Sequence, residues 1–268
     1  IKSLTKLKDL DLSECSSIES LSGLEKLSLL ESLKVTGCSK LSSLDGVPNS
    51  DVYVLNKRFG SGVEVDLSGC SSLKDITALK GASKIDWLLI GGCNSIRKTE
   101  GLDKIKIDLL RCSDSDISLL RSLNNLDVNT LILDEMKMSS FEGLKEWPSV
   151  KTLNIHSASF QNLLGIDGFV NIIFLDLANY SPLTERDVNT LKNLTGIENS
   201  KNLEYLNLSG CDEMQDVNAL SELPSLAKLK MDGCPKVEPL PRPKVMEIRE
   251  EVEKYQIRLL KALGKDIP

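Results

Sequence analysis

The sequence predicts an α/β fold: a right-handed solenoid of stacked coils, with a parallel sheet along one wall and a helix over its C-terminal end. Three observations predict it. One apolar strand motif recurs ten times. The steps between copies cluster near the length of one strand-plus-turn coil. The last segment abandons that motif for an amphipathic helical pattern.

The first copy reads Leu7-x-x-Leu10-x-Leu12-x-x-Cys15. Later copies end at Cys38, Cys70, Cys93, Cys112, Met136, Ala158, Tyr180, Cys211 and Cys234. In the fifth, the spacing is read through Ile107, Leu109 and Cys112. Most steps fall within the about 20–29 residues that one such coil needs. The step of 32 before Cys70 and that of 31 before Cys211 mark insertions.

The leucine pair at the heart of each copy alternates with period two, which suits a short strand with one buried side. A second apolar set follows at spacing three, as in Ile18, Leu21 and Leu24, or Leu73, Ile76 and Leu79. That spacing suits a helical or 3₁₀ turn on the opposite wall. One coil cannot bury both sets alone; a stack can. The reading gives a solenoid of about ten coils over 1–240 and a separate helix over 241–268.

These copies resemble the leucine-rich repeat family over residues 1–240. The order Leu-x-x-Leu-x-Leu-x-x-Cys/Asn, then Ile-x-x-Leu-x-x-Leu, is similar to short internalin-type and phosphatase-regulator-type repeats. Leu67-Ser-Gly-Cys70-Ser-Ser-Leu73 and Leu208-Ser-Gly-Cys211 also resemble repeats of plant intracellular immune receptors and kinetoplastid proteins. The resemblance implies a curved horseshoe that binds proteins on its concave strand face. Met136, Ala158 and Tyr180 depart from Cys/Asn, so a less regular turn is expected there.

All seven cysteines are read at the same repeat position. A small apolar side chain with a weak S–H donor fits an inward turn there and can satisfy a carbonyl. Metal ligation fits poorly, because no CxxC and no Cys/His cluster occurs. Disulfides fit poorly because the number is odd. Buried reduced thiols favour an intracellular, cytoplasmic setting. The sequons at Asn193 and Asn207 point weakly the other way.

The first insertion, 51–62, alternates and then ends in glycines, which suits an extra strand or an extended loop. The second holds Thr184 as a helix cap, so a convex helix is expected over about 185–193. Beyond Pro239, Pro241 and Pro243, an apolar stripe runs through Val245, Ile248, Val252, Tyr255, Leu259 and Ala262. Glu247, Glu250 and Glu251 stand early, and Lys261 and Lys265 late, as the helix dipole favours. A cap over the last coil is the expected role. The chain starts at Ile1 already in repeat register, so a longer parent protein is expected.

Composition excludes several functions. No run of about 18 uncharged apolar residues exists to span a membrane as a helix. A net charge of -6 and a pI near 5.1 argue against nucleic-acid binding, which needs a basic face. Phosphate-loop, nucleophile-elbow and HExxH motifs are absent. A lone histidine, His156, gives little scope for acid–base chemistry or zinc. The expectation is a protein that is not an enzyme and needs no cofactor or metal.

Register then predicts what lines the concave wall. Trp87, Leu89, Leu110 and Ile132 are expected to form an apolar patch, with Phe174 and Tyr205 as an aromatic second patch and His156 between them. Outward aromatics with a polar rim are the usual pattern of protein interfaces. The expected function is recognition of a protein partner, or of another part of the full-length chain. The alternatives are a structural subunit using the convex insertions and the C-terminal helix, and an extracellular adhesin or receptor ectodomain. Covering of the patch by the 51–62 insertion is a further possibility.

Overall fold

The computed structural model describes residues 4–47, 63–82, 84–156, 160–179 and 190–267. Two compact units divide the chain, Ile1–Leu131 and Ile132–Pro268.

The first unit holds β1 (Asp9–Asp11), β2 (Ser32–Lys34), β3 (Glu64–Asp66), β4 (Lys84–Leu89), β5 (Lys106–Ser113) and α1 (Ile117–Leu123). The division falls inside β6 (Asp127–Asp134). β1 pairs with β2, β3 with β4, and β4 with β5, all parallel. The coils of β2 and β3 also stack, through Gly37 N–H donating to Ser68 O at 2.8 Å.

The second unit holds β7 (Thr152–His156), β8 (Phe174–Asp176), β9 (Tyr205–Asn207), β10 (Lys228–Lys230), β11 (Val245–Met246) and α2 (Arg249–Ala262). β7 to β10 pair in parallel, in chain order. β11 returns antiparallel on β10. Below the strands, Phe141 stacks tilted on Phe160 at 5.0 Å and edge-on to Phe169 at 5.6 Å. Trp147 lies 6.0 Å from Phe169 and is fully buried.

In β2 and β10 the central leucine is buried and its neighbours face outward: Leu33 is buried between Ser32 and Lys34, and Leu229 between Lys228 and Lys230. The far wall follows the spacing of three. Leu24 N–H donates to Leu21 O, Leu27 N–H to Leu24 O and Leu30 N–H to Leu27 O. An i→i+3 bond at every third residue eclipses the side chains at that spacing, so one leucine column faces the core.

Between strand and far wall, most of the described coils have one residue that turns left-handed. It is Gly37, Gly69, Gly92, Gly210 or Gly233, and Glu14, Asp114 or Glu135 where glycine is missing. The following residue is buried, except in the first coil, where Cys15 is exposed, contrary to the inward position expected of all seven cysteines. Five cysteines there donate their thiols to the coil behind: Cys38 to Leu12 O, Cys70 to Val35 O, Cys93 to Leu67 O, Cys211 to Leu177 O and Cys234 to Leu208 O. The thiol satisfies a carbonyl, as expected, but one belonging to the preceding coil.

Cys112 is a correction. The left-handed residue of its coil is Asp114, so Ser115 holds the inward turn position and donates to Ser113 O at 2.8 Å. Cys112 is instead a buried strand residue, in the place Ile90 takes just past β4. Leu110 moves with it. Register pairs Leu88 with Leu110, and Trp87 with Leu109, so Leu110 is core and Leu109 faces outward. The reason lies in Arg111. Burying Ile107 and Leu109 would set Arg111 at the left-handed turn, the place Glu14 takes after Leu12, and would leave Leu110 in water; the observed register gives that turn to Asp114, a residue type that adopts positive φ more readily. Burying Leu110 and Cys112 leaves Arg111 exposed.

Two helical expectations also change. The last helix starts at Arg249, and its buried residues are Val252, Tyr255 and Leu259. Val245 belongs to β11, and Ile248 and Ala262 are exposed. α2 lies on the last coil. Gln256 Nε2 donates to Leu220 O and Leu223 O, Arg249 to Pro224 O and Tyr255 Oη to Pro239 O. Of the helix expected over 185–193, residues up to 189 lie outside the described residues. Asn193 pairs with Asp216 in a parallel bridge, so that end is not helical. The 51–62 insertion, Ala158 and Tyr180 also lie outside the described residues.

Candidate functional site

The outward strand positions form one face in each unit. In the first unit, register sets Glu64, Trp87 and Leu109 in one row and Asp66, Leu89 and Arg111 in the next. Trp87, Leu89 and Leu109 are half-buried on the side opposite Leu88 and Leu110. Register thus puts Trp87, Leu89 and Leu109 on the same outward side of β4 and β5, with Leu109 in the place expected of Leu110, while Ile132 belongs to the second unit.

Acidic residues border that cluster. Lys84 Nζ lies 2.5 Å from Asp86 Oδ1 and 2.6 Å from Asp108 Oδ2. Hydrogen bonds to Asp108 and Asp86 push Lys84 up to about 12. The same lysine holds the Asp86 carboxyl below its ordinary range, helped by the Val63 N–H at 2.7 Å. Asp66 Oδ1 accepts from Ser68 N–H, and Asp11 Oδ1 from Ser13 N–H, both at 2.9 Å. An acidic side chain two residues before a backbone donor tightens the exit from the strand. These carboxylates are held by neighbouring donors at the strand ends.

In the second unit, Ile132 is half-buried on β6. Near it, Asp134 Oδ1 lies 3.0 Å from His156 Nδ1. The imidazole is thus oriented by the Asp134 carboxylate. One row runs Thr152, Phe174, Tyr205, Lys228, and the next Asn154, Asp176, Asn207, Lys230. Phe174 and Tyr205 stack with centroids 4.1 Å apart and planes 5° apart. Lys230 Nζ lies 5.8 Å from the Tyr205 centroid. Asn207 is buried and donates to Asp176 Oδ2 at 3.3 Å. Its sequon is closed to a glycan in the fold.

Sequence reasoning missed Leu109 and Arg111. The signal was available: the step from Cys93 to Cys112 is the shortest of the series, at 19 residues. Moving the turn position to Ser115 makes the steps on both sides even. Among the described residues, no three His, Cys, Asp or Glu side chains gather as a metal site, and no helix is long and apolar enough to cross a membrane.

Similarity to known proteins follows the repeats. No protein-family model matches the chain. It is 25% identical over 233 residues to the disease resistance protein RPS4B of Arabidopsis thaliana, covering 81% of this chain. It is 28% identical over 182 residues to a putative adenylate cyclase regulatory protein of Trypanosoma equiperdum, covering 63% of this chain. The matches span only 19% and 28% of those relatives' own lengths. Among solved structures, an internalin, InlF, of Listeria monocytogenes is 16% identical at a TM-score of 0.44, covering 80% of this chain and 66% of its own. TLR13, solved in complex with ssRNA13, is 15% identical at a TM-score of 0.40, covering 90% of this chain and 45% of its own. The repeated strand motif and the parallel ladders give the described residues of each unit the fold of a leucine-rich repeat solenoid, and the two curated relatives are what the chain's sequence is similar to.

Proposed function

We propose that the chain is a non-enzymatic recognition module that binds a protein partner on its outward strand faces. One observation carries this reading. Trp87, Leu89 and Leu109 stand together on the outward side of β4 and β5, while Leu88 and Leu110 fill the core. Turning one large apolar side chain from water into an interface contributes on the order of 1.5–3 kcal/mol. Ladder hydrogen bonds fix the strands beneath, so little ordering entropy is lost on association. Acidic neighbours and a net charge of -6 favour protein over nucleic acid. The names of the two curated relatives, a disease resistance protein and a putative adenylate cyclase regulatory protein, fit recognition or regulation.

The partner is a protein or another region of a longer parent chain. No cofactor enters this reading. The thiols that donate to backbone carbonyls support a reducing, intracellular setting. Paired isolation with the wild-type chain and a Trp87→Ser, Leu89→Ser variant tests the assignment. Partners lost from the variant, with its melting temperature kept, support recognition on this face. Partners retained in full would shift the role to α2, where Ile248 is 56% exposed.

A further inference from the structure

We infer that the second unit carries a seat for an arginine side chain of the partner protein, over β7 and beside Phe174. The inference rests on the recognition reading above and names one chemical feature of the partner.

Phe174 and Tyr205 are register neighbours on β8 and β9, with rings 4.1 Å apart and parallel within 5°. Parallel rings one strand apart hold each other upright on the sheet. Tyr205 covers one face of Phe174. On the other side the register neighbour is Thr152, too small to cover a ring. Phe174 therefore turns its second face toward the space above β7.

Two residues further along β8, on the same side, stands Asp176, about 7 Å away at the usual strand rise. Its carboxylate accepts from Ala178 N–H at 2.9 Å and from Asn207 Nδ2 at 3.3 Å, both uncharged donors. Among the described residues it has no ion pair. Its register neighbour on β7, Asn154, holds a buried Oδ1 with no hydrogen-bond partner. An aromatic face thus lies at one end of a short slot and a carboxylate with spare acceptor capacity at the other, next to the solvent-shielded Asn154 Oδ1.

A guanidinium matches this slot. It is planar, so it stacks on the ring, and its donors lie in its edge, so they reach the Asp176 carboxylate while the plane covers Phe174. An ammonium lacks the plane. A phosphate meets the carboxylate unfavourably. The other outer face of the aromatic pair already has a cation near it, Lys230 Nζ at 5.8 Å from Tyr205.

The test is amide chemical-shift mapping of the ¹⁵N-labelled 268-residue chain. The probes are N-acetyl-arginine amide, its citrulline counterpart, N-acetyl-lysine amide and adenosine. Saturable shifts are expected at Thr152–His156 and Phe174–Ala178 with the arginine probe. Asp176→Asn should weaken them about tenfold or more, as for a lost charged hydrogen bond. Phe174→Leu should weaken them independently, with both variants melting as the wild type does. Absent shifts, an unaffected Asp176→Asn variant, or equal binding of citrulline, lysine or adenosine at these amides would overturn the seat. A partner lost from the Trp87→Ser, Leu89→Ser variant, yet unaffected by Asp176→Asn, would also overturn it while leaving protein recognition standing.

Discussion

The Cys93 thiol donates to the carbonyl of Leu67, one coil behind, across 2.9 Å. The same reach recurs from Cys70 to Val35 and from Cys234 to Leu208. Each strand's last inward residue has its carbonyl near the core, where water cannot reach it. A thiol is small enough to sit there and still supplies a donor. Cys93→Ala is expected to cost about 1–2 kcal/mol, from the lost bond and a small void. Urea denaturation should show a lower midpoint with an unchanged slope.

The same burial sets a pH dependence. Burial pushes the Cys70 thiol up to about 12 and the Cys234 thiol up to about 11. In the unfolded chain these thiols ionise near their ordinary value of about 8.5. Between the two values the folded state holds protons that the unfolded state has released. Stability is therefore full below the unfolded value and falls as pH rises through that window, by up to roughly 1.4 kcal/mol per pH unit for each thiol. Denaturation midpoints at pH 7, 9 and 10 should decline in that order. In the native state at pH 8, a thiol reagent should modify exposed Cys15 first and the others only on unfolding.

The register of β5 can be tested directly. Leu110→Ala should destabilise by about 2–5 kcal/mol, as a core truncation does, and Leu109→Ala by less than about 1 kcal/mol. Thermal melts of the two variants check this. The reverse order would restore the spacing read through Leu109.

The left-handed turn gives a graded comparison. A methyl at Gly210, φ +78°, would come 2.5 Å from Asn179 O. At Gly92, φ +71°, the nearest atom is 3.9 Å away. Both alanine variants carry the backbone penalty, about 1–2 kcal/mol. Gly210→Ala adds a clash with main chain. Its unfolding midpoint should fall further than that of Gly92→Ala.

Tyr255 ties α2 to the last coil through its hydroxyl, which donates to Pro239 O at 2.9 Å. Tyr255→Phe should cost about 0.5–1.5 kcal/mol and leave the helix in place. Leu259→Ala should cost more, about 2–5 kcal/mol, because the residue is fully buried. Chemical denaturation of both variants checks the order.

Much of this was legible in the sequence. Leu10, Leu33, Leu88 and Leu206 announce strands because side chains alternate there with period two. Leu21, Leu24 and Leu27 announce the far wall because a 3₁₀ turn repeats every three residues. Trp87, Leu89, Phe174 and Tyr205 could be placed outward from register alone. Where one coil broke the spacing, as at Leu109 and Cys112, counting went astray. The inward pair is chosen by which option keeps Leu110 in the core and gives the left-handed turn to Asp114 rather than Arg111, and that choice involves the whole coil.

The sequence by itself determined the repeat, the strand and turn of each coil and the alternation that sorts core from surface, because these depend on residues near one another in the chain. Only the tertiary structure decided which carbonyl each thiol meets, that Asp134 orients His156, and that Phe174 and Tyr205 stack. Those relations join residues a full coil or more apart, and they exist only once stacking brings the coils to the spacing of neighbouring strands.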